Sequence, residues 1–388
     1  MYDYIVVGAG LAGSVMAERI TKVLDKKVLI IDKRKHIGGN CFDYRDESGI
    51  LIHKYGPHIF HTIYKEVWDY LSDFTAWIIY EHKVLVSING KKVPIPFNLN
   101  TLHELFPESV ARKIELKLKK NIGEEKKISI LELRQSDDID LKCLGDFVYA
   151  NVVKNYSIKQ WGKDFDLLDK AVIERIPVII SRDDRYFQDK FQGIPDLGYT
   201  EIFEKMLSHP NLEIMLNTDF HDVFSMDFQR GIVSFKGEEF KGKIIYTGEL
   251  DELFNHKCGK LPYRSLKFVF KTIEKEFFQK VAVINYPNDY NFTRITEYKH
   301  FTNQKSKFTT YSKEYPQDYD RTVPGKDIPF YPIPNLINHE LYEKYRKLTL
   351  KFKNILLLGR LAEYKYLNMD LVIKSTLDLF DKGIKNAR

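Results

Sequence analysis

Cysteine is nearly absent from this chain. Cys41, Cys143 and Cys258 are the three in 388 residues, an odd number with no close metal-type pairing. Neither a disulfide framework nor a cysteine metal site is expected, and the pattern favours a reducing cytosol. No apolar run approaches the ~18–20 residues of a membrane span. The first residues pass straight into a strand with Asp3 inside it, unlike a signal peptide. A large charge of one sign is missing too. Sixty Lys and Arg against 54 Asp and Glu leave +6, which suits small anionic ligands and is too weak and dispersed for nucleic acid. The lysines of 112–127 are expected on wet helix faces. What the chain has in plenty is rings: Phe, Tyr and Trp make up 14%, enough for a core and for a site that stacks flat ligands.

The N-terminal text YDYIVVGAGLAGSVMAERI reads as a buried strand, Tyr4 to Val7, then Gly8, Gly10 and Gly13 in GxGxxG spacing, then a helix of period 3.6. Gly8 makes the tight turn, Gly10 lets a pyrophosphate approach the backbone, and Gly13 lets the helix lie close on the strand. The helix N-terminus offers unpaired N–H groups to phosphates. A second strand, KKVLIID, ends in Asp32, the place for an acid that bonds ribose hydroxyls. The following KRKHIGGN, with Lys33, Arg34, Gly38, Gly39 and Asn40, suits an extended FAD better than a nicotinamide cofactor. Near the C-terminus, ILLLGRLAEYKYLNMDLVI reads as a strand ending at Gly359-Arg360, a polar aromatic loop, and a helix starting near Met369. A helix positive end beside a flavin stabilises its anionic reduced form.

Between these ends the text alternates. Residues 76–98 read as a hairpin turning at Asn89-Gly90. Residues 101–154 have helical period, with Thr101 as cap and a break near Gly123. A helix over 200–208 and strands over 212–216, 231–236 and 243–247 follow, and 264–315 suggests an antiparallel sheet. The expected fold is α/β: a discontinuous Rossmann-like FAD-binding domain (1–75, 200–255, 330–388), a helical insert (100–154), and an antiparallel-sheet substrate domain (76–99, 155–199, 256–329). Outside the cofactor unit, Arg and aromatics recur together, at Tyr156 and Trp161, at Arg175, Arg182, Arg185 and Tyr186, and at Arg264, Arg294, Tyr315, Tyr331, Arg360, Tyr364 and Tyr366. Arginine forks suit phosphate oxygens and ring faces suit a base or sugar. Each taken singly also reads as a salt bridge or a core ring.

The blocks YGPHIFHT (55–62), YSIKQWG (156–162), IERIPV (173–178), YFQDKFQGIPDLGYT (186–200), YTGELD (246–251), YRSLKF (263–268), TRITEYKHF (293–301) and RLAEYKYLNMD (360–370) resemble, in this order, the prokaryotic UDP-galactopyranose mutases over roughly 1–378. The resemblance implies a cytoplasmic homodimeric FAD isomerase, active with reduced flavin, that interconverts UDP-galactopyranose and UDP-galactofuranose without net redox change. UDP-N-acetylgalactosamine is a further candidate substrate, and surface polysaccharide is the use of the product. In that chemistry the reduced flavin N5 attacks the anomeric carbon and UDP leaves. By the same resemblance, Arg175 and Arg294 hold the diphosphate, and His58 and His61 lie in the flavin-facing loop. Trp161 sits in a mobile substrate loop, where Lys159 and Gln160 only solvate. Tyr156, Ser157, Tyr186, Arg264, Asn285, Tyr315, Tyr331 and Tyr366 contact substrate. The cofactor is held by Gly8, Gly10, Gly13, Ser14, Asp32, Lys33, Gly39, Asn40, His58, Ile59, Asp219 and Arg360, and by Asn368, Met369, Asp370, Leu371, Val372 and Ile373 at the helix end. Three residues depart from the pattern: Asp32 where Glu is usual, Asn368 where Asp is frequent, and His82 where some members bring Asn. The alternative from the residues alone is an FAD oxidase or desaturase, which shares the N-terminal fingerprint and has no use for phosphate-type arginines.

Overall fold

The computed structural model describes residues 2–162, 177–333 and 335–386. Its cofactor half is a five-stranded parallel sheet. The strands run in the order Leu212–Met215, Val28–Ile31, Tyr4–Val7, Lys243–Tyr246, Ile355–Leu357. Val28–Ile31 is buried at every position, because helices cover both faces and leave no polar side for the strand to alternate toward. On one face the helix Leu11–Leu24 packs with Met369–Leu379, joining Val15, Met16 and Ile20 to Val372 and Ile373. On the other face Phe220, Phe254, Tyr345 and Phe352 close the core. A Cβ at Gly13 would lie 2.0 Å from the carbonyl oxygen of Gly8, so only glycine lets that first helix sit on its strand.

The second sheet has seven strands, ordered Tyr331–Pro332, Tyr263–Ile273, Thr309–Asp318, Arg294–Glu297, Val283–Asn285, Val84–Ile88, Lys91–Ile95. It is antiparallel apart from one junction, where Val283–Asn285 runs parallel to Val84–Ile88. The Asn89-Gly90 turn is real, with φ of 49° and 79°, the left-handed pair that a two-residue hairpin demands. The hairpin is shorter than expected, however. Trp77–Ile79 belongs instead to a three-stranded sheet with Phe191–Pro195 and Phe60–Thr62, where Trp77 stacks on Trp68 and Phe60. A boundary at 75/76 would cut close to that sheet.

The helical stretch is divided into Leu99–Leu105, Glu108–Asn121, Ile130–Arg134 and Ile139–Val148, and it covers one face of the large sheet through Leu102, Ala111, Ile114, Leu118 and Leu144. The first of these helices is capped by Asn98, whose side chain accepts from the Thr101 N–H, so Thr101 is not the cap. After a wide turn over Tyr149–Lys154, the chain enters a short helix, Asn155–Trp161, closed by Gly162 at φ 63°. YSIKQWG is therefore helical and packed, not a loop.

Candidate active site

The carboxyl ends of the parallel strands open into a solvent-accessible cavity, the place where such sheets bind ligands. Its floor is two glycine turns braced on each other. The Gly38 N–H donates to the Ala9 carbonyl at 2.8 Å, and a Cβ at Gly39 would lie 2.8 Å from Gly10 Cα. The second glycine pair is thus needed for packing against the first as well as for room. Asp32 lines the cavity. Its Oδ2 accepts from Ala9 N at 2.7 Å and its Oδ1 from Arg34 N at 2.8 Å, which leaves one lone pair on each oxygen for ribose hydroxyls. Lys33 Nζ lies 3.3 Å from Glu249 and 3.4 Å from Glu252. Arg321 joins the same group through Asp219 and Glu252.

The far wall is Gly359, Arg360, Met369 and Val372, with the helix Met369–Leu379 presenting its N-terminus. Of the expected helix-end contacts, Leu371 is exposed and Ile373 is sealed in the core, because side chains on one helix turn point in different directions. Ile59 is likewise core, and the Ser14 hydroxyl donates to the Ala9 carbonyl. Asn368 is exposed and makes no side-chain cap bond. The residues present fit FAD. The turns are too close for any side chain. Two helix N-termini meet the cavity. Arg34 Nη1 and Arg360 Nε are buried without a partner, donors that a bound anion would satisfy.

A second, smaller cavity shares Asn40, His58 and Arg360 with the first. Arg294 and Glu314 lie opposite each other on paired strands, with Arg294 Nε 3.2 Å from Glu314 Oε1. Burial opposes the Arg294 charge, but the Glu314 carboxylate outweighs it and holds the guanidinium charged above its ordinary range. Tyr156, Tyr186 and Tyr331 all lie within reach of that charge. Tyr331 and Tyr366 stack at 5.3 Å, and the Arg360 guanidinium sits 5.2 and 5.4 Å from their centroids. Trp161 stands 6.0 Å from both rings. Asn285 is the strand partner of Arg294 and keeps its buried Oδ1 unpaired. Ser157 is buried on the same helix as Tyr156. His58 Nδ1 donates to the Gly56 carbonyl at 2.8 Å. Burial, followed by neighbouring His53, lowers its pKa to about 3, so it meets both cavities as a neutral ring.

Several expected site residues stand elsewhere. His61 bonds Asp189 at 2.5 Å and stacks on Phe187 at 3.6 Å, outside both cavities. Tyr315 packs on Phe292. It follows Glu314 in the strand, and alternation turns it to the opposite face. Arg264 spends its guanidinium on the Gln160 and Lys159 carbonyls and on Asp318. Lys159 and Gln160 do not merely solvate: Lys159 Nζ donates to the Tyr286 carbonyl, and Gln160 is buried. Arg182 and Arg185 are tied to acids at the surface. Arg175 lies outside the described residues. Residues missed by the sequence reading are Glu314, Glu249, Glu252 and Cys41. The two glutamates follow the strand end at Thr247-Gly248, which was the available signal. Glu314 is set opposite Arg294 by a strand pairing that the sequence does not reveal. Cys41, with its thiol pushed up to about 12 by burial, gave none. Among the described residues no His, Cys, Asp or Glu cluster suits a metal, and no helix is long and apolar enough to cross a membrane.

Comparison with known proteins agrees with this geometry. A family model described as UDP-galactopyranose mutase matches residues 151–366, and one described as an NAD(P)-binding Rossmann-like domain matches 6–74. The UDP-galactopyranose mutase of Mycoplasma genitalium is 37% identical over 377 residues, covering 96% of this chain and 92% of its own. The dTDP-fucopyranose mutase of Escherichia coli is 33% identical over 391 residues, the full length of both. A crystal structure of reduced UDP-galactopyranose mutase superposes with a TM-score of 0.73 at 17% identity, covering 98% of this chain and 93% of that one. Putrescine oxidase shares the fold at a TM-score of 0.56 and 12% identity, with 98% and 99% covered. The chain is α/β with a Rossmann-like cofactor domain, and it belongs to the UDP-galactopyranose mutase family.

Proposed function

We propose that this protein interconverts the pyranose and furanose forms of a nucleoside-diphosphate sugar, UDP-galactose first, with FAD in the larger cavity and the flavin reduced. The observation that carries the reading is the meeting of the two cavities at Asn40, His58 and Arg360, which sets the Arg294 guanidinium and its aromatic walls beside the flavin end. Bound reduced flavin supplies the electron pair for the anomeric carbon. The chain's own groups do the rest. Arg294 and the proposed second diphosphate arginine, Arg175, neutralise the phosphate charge that develops as the sugar–oxygen bond breaks. Asn285, on the paired strand, keeps an Oδ1 free to accept from a sugar hydroxyl and not from the phosphates. Tyr156, Tyr186 and Trp161 hold the base, while the stacked Tyr331 and Tyr366 exclude water near the sugar. His58 stays neutral and adds no charge next to the flavin.

The division into a discontinuous cofactor domain, a helical insert and a sheet domain is part of this reading. So are a homodimeric state and a cytoplasmic location, which Cys41, Cys143 and Cys258, all free thiols, suit. The test is turnover of the FAD-loaded protein with UDP-galactofuranose, UDP-N-acetylgalactofuranose and dTDP-fucofuranose, before and after dithionite, read by chromatography. Conversion of at least one only when reduced supports the proposal. No conversion of any sugar by the reduced protein overturns it, and oxygen consumption with an amine would point to the oxidase alternative.

A further inference from the structure

Arg264 is 4% exposed. Its Nε donates to the Gln160 carbonyl at 2.9 Å, its Nη2 to the Lys159 carbonyl at 3.3 Å, and its Nη1 pairs with Asp318. These carbonyls are at the C-terminal end of the Asn155–Trp161 helix, where the backbone has acceptors to spare and carries partial negative charge. The helix turns out of its last residue through Gly162 at φ 63°, and a Cβ there would stand 2.6 Å from Arg264 Nη1. Glycine both permits the turn and leaves room for the guanidinium. The strand position of Arg264 pairs with Tyr331 on one side and Asp318 on the other. One residue therefore ties the helix that bears Tyr156 and Trp161 to the strand whose neighbour, Tyr331, stands against the Trp161 ring.

We propose that Arg264 is a positioning residue for nucleotide recognition: it fixes the end of the Asn155–Trp161 helix so that Trp161 meets the base, and it makes no contact with the ligand itself. The inference rests on the function proposed above. Side-chain fixing of this kind matters because a ring left to search rotamers gives back part of its binding free energy on ordering.

A double-mutant cycle tests it, with UDP titrated calorimetrically into the FAD-loaded protein. Arg264→Gln should weaken UDP binding about tenfold in the wild-type background and by no more than about twofold when Trp161→Ala is already present, since coupled residues are non-additive. Arg264→Lys, which keeps the charge and loses the fork, should recover part of the loss, and the flavin absorbance should not move in any of them. Equal losses in both backgrounds, or no loss in either, overturn the inference. Should Arg264→Gln fail to fold, Asp318→Asn reads the same clamp from a carboxylate that is 89% exposed. A loss of about threefold that vanishes beside Trp161→Ala supports the proposal, and unchanged binding refutes it. If the wild-type protein does not bind UDP, the parent function falls and this inference with it. If it binds UDP and the losses add, the inference alone falls.

Discussion

Glu314→Gln should tighten UDP binding while loosening the fold, an unusual pairing for a mutation in a site. The Glu314 side chain is 3% exposed and that of Arg294 24%, so the pair is only partly screened. At their 3.2 Å separation the attraction is at most about 5 kcal/mol at an effective dielectric of ~20. Replacing the carboxylate by an amide of equal size forfeits a fraction of that in the free protein. Roughly 1–3 kcal/mol remains after solvent screening, or a melting point lower by a few degrees. A diphosphate on the open side of Arg294 experiences Glu314 as a repulsion from about 7 Å, on the order of 2 kcal/mol at the same dielectric. Halving this for water in the cleft leaves a UDP affinity raised about five- to tenfold. Calorimetric titration of UDP at low and high salt measures it, and the gain should shrink as salt rises. Weaker binding at both ionic strengths would refute the placement of the diphosphate on Arg294.

Other outcomes follow from the same geometry. Arg294→Lys keeps the charge but loses the fork, and should lower kcat of the reduced enzyme by about 10²–10³ with the flavin spectrum intact; loss of flavin instead would place Arg294 on the cofactor. Gly39→Ala forces a Cβ to 2.8 Å from Gly10 Cα at a φ of +55°, so FAD content after purification should collapse. Retention of stoichiometric FAD would refute the braced turns. Burial lowers His53, His58 and His82 each to about 3, below the unfolded value of ~6.5. Unfolding therefore takes up protons between those values. Stability is fully present above about pH 6.5 and is lost as pH falls toward 3, with slope set by the protons gained. Melting points that stay flat from pH 7 to 5, before most carboxylates titrate, would contradict the buried neutral rings.

The cofactor half was legible because its signals are local. Gly8, Gly10, Gly13 and Asp32 lie within one strand–turn–helix–strand unit, and each has a steric or hydrogen-bonding reason that neighbours in sequence supply. The substrate half was legible only through resemblance, since Trp161, Arg294, Tyr331 and Tyr366 are brought together by strand order and by a C-terminal loop that no period reveals. Errors fell where a residue's direction, not its presence, decides its role. Tyr315 and Glu314 are adjacent, and a one-residue difference chooses the face of the sheet. His61 and His58 are three apart, yet one is claimed by Asp189 and the other reaches the cavities. Arg264 looked like a phosphate ligand by residue type, but a buried fork next to a helix end finds carbonyls first.

In the proposed function the charges distinguish a cofactor cavity from a substrate cavity that shares Asn40, His58 and Arg360 with it. Around the ribose end of the larger cavity Lys33 and Arg321 are each paired with carboxylates, so that end gains little from additional anionic charge. At the shared wall, Arg360 lies against rings and a carbonyl oxygen and keeps its Nε open. Beyond it, Arg294 has a single carboxylate partner among the described ion pairs. Of Lys33, Arg321, Arg360 and Arg294, the last two are therefore the least compensated, and in the proposed function a diphosphate held by them would carry its sugar toward the bound flavin. If the phosphate were drawn to the Lys33 side instead, Lys33→Met would cost UDP affinity while Arg360→Met would not. The geometry requires the reverse ordering for UDP, and equal losses from the two would leave no electrostatic reason for the sugar to lie against the flavin.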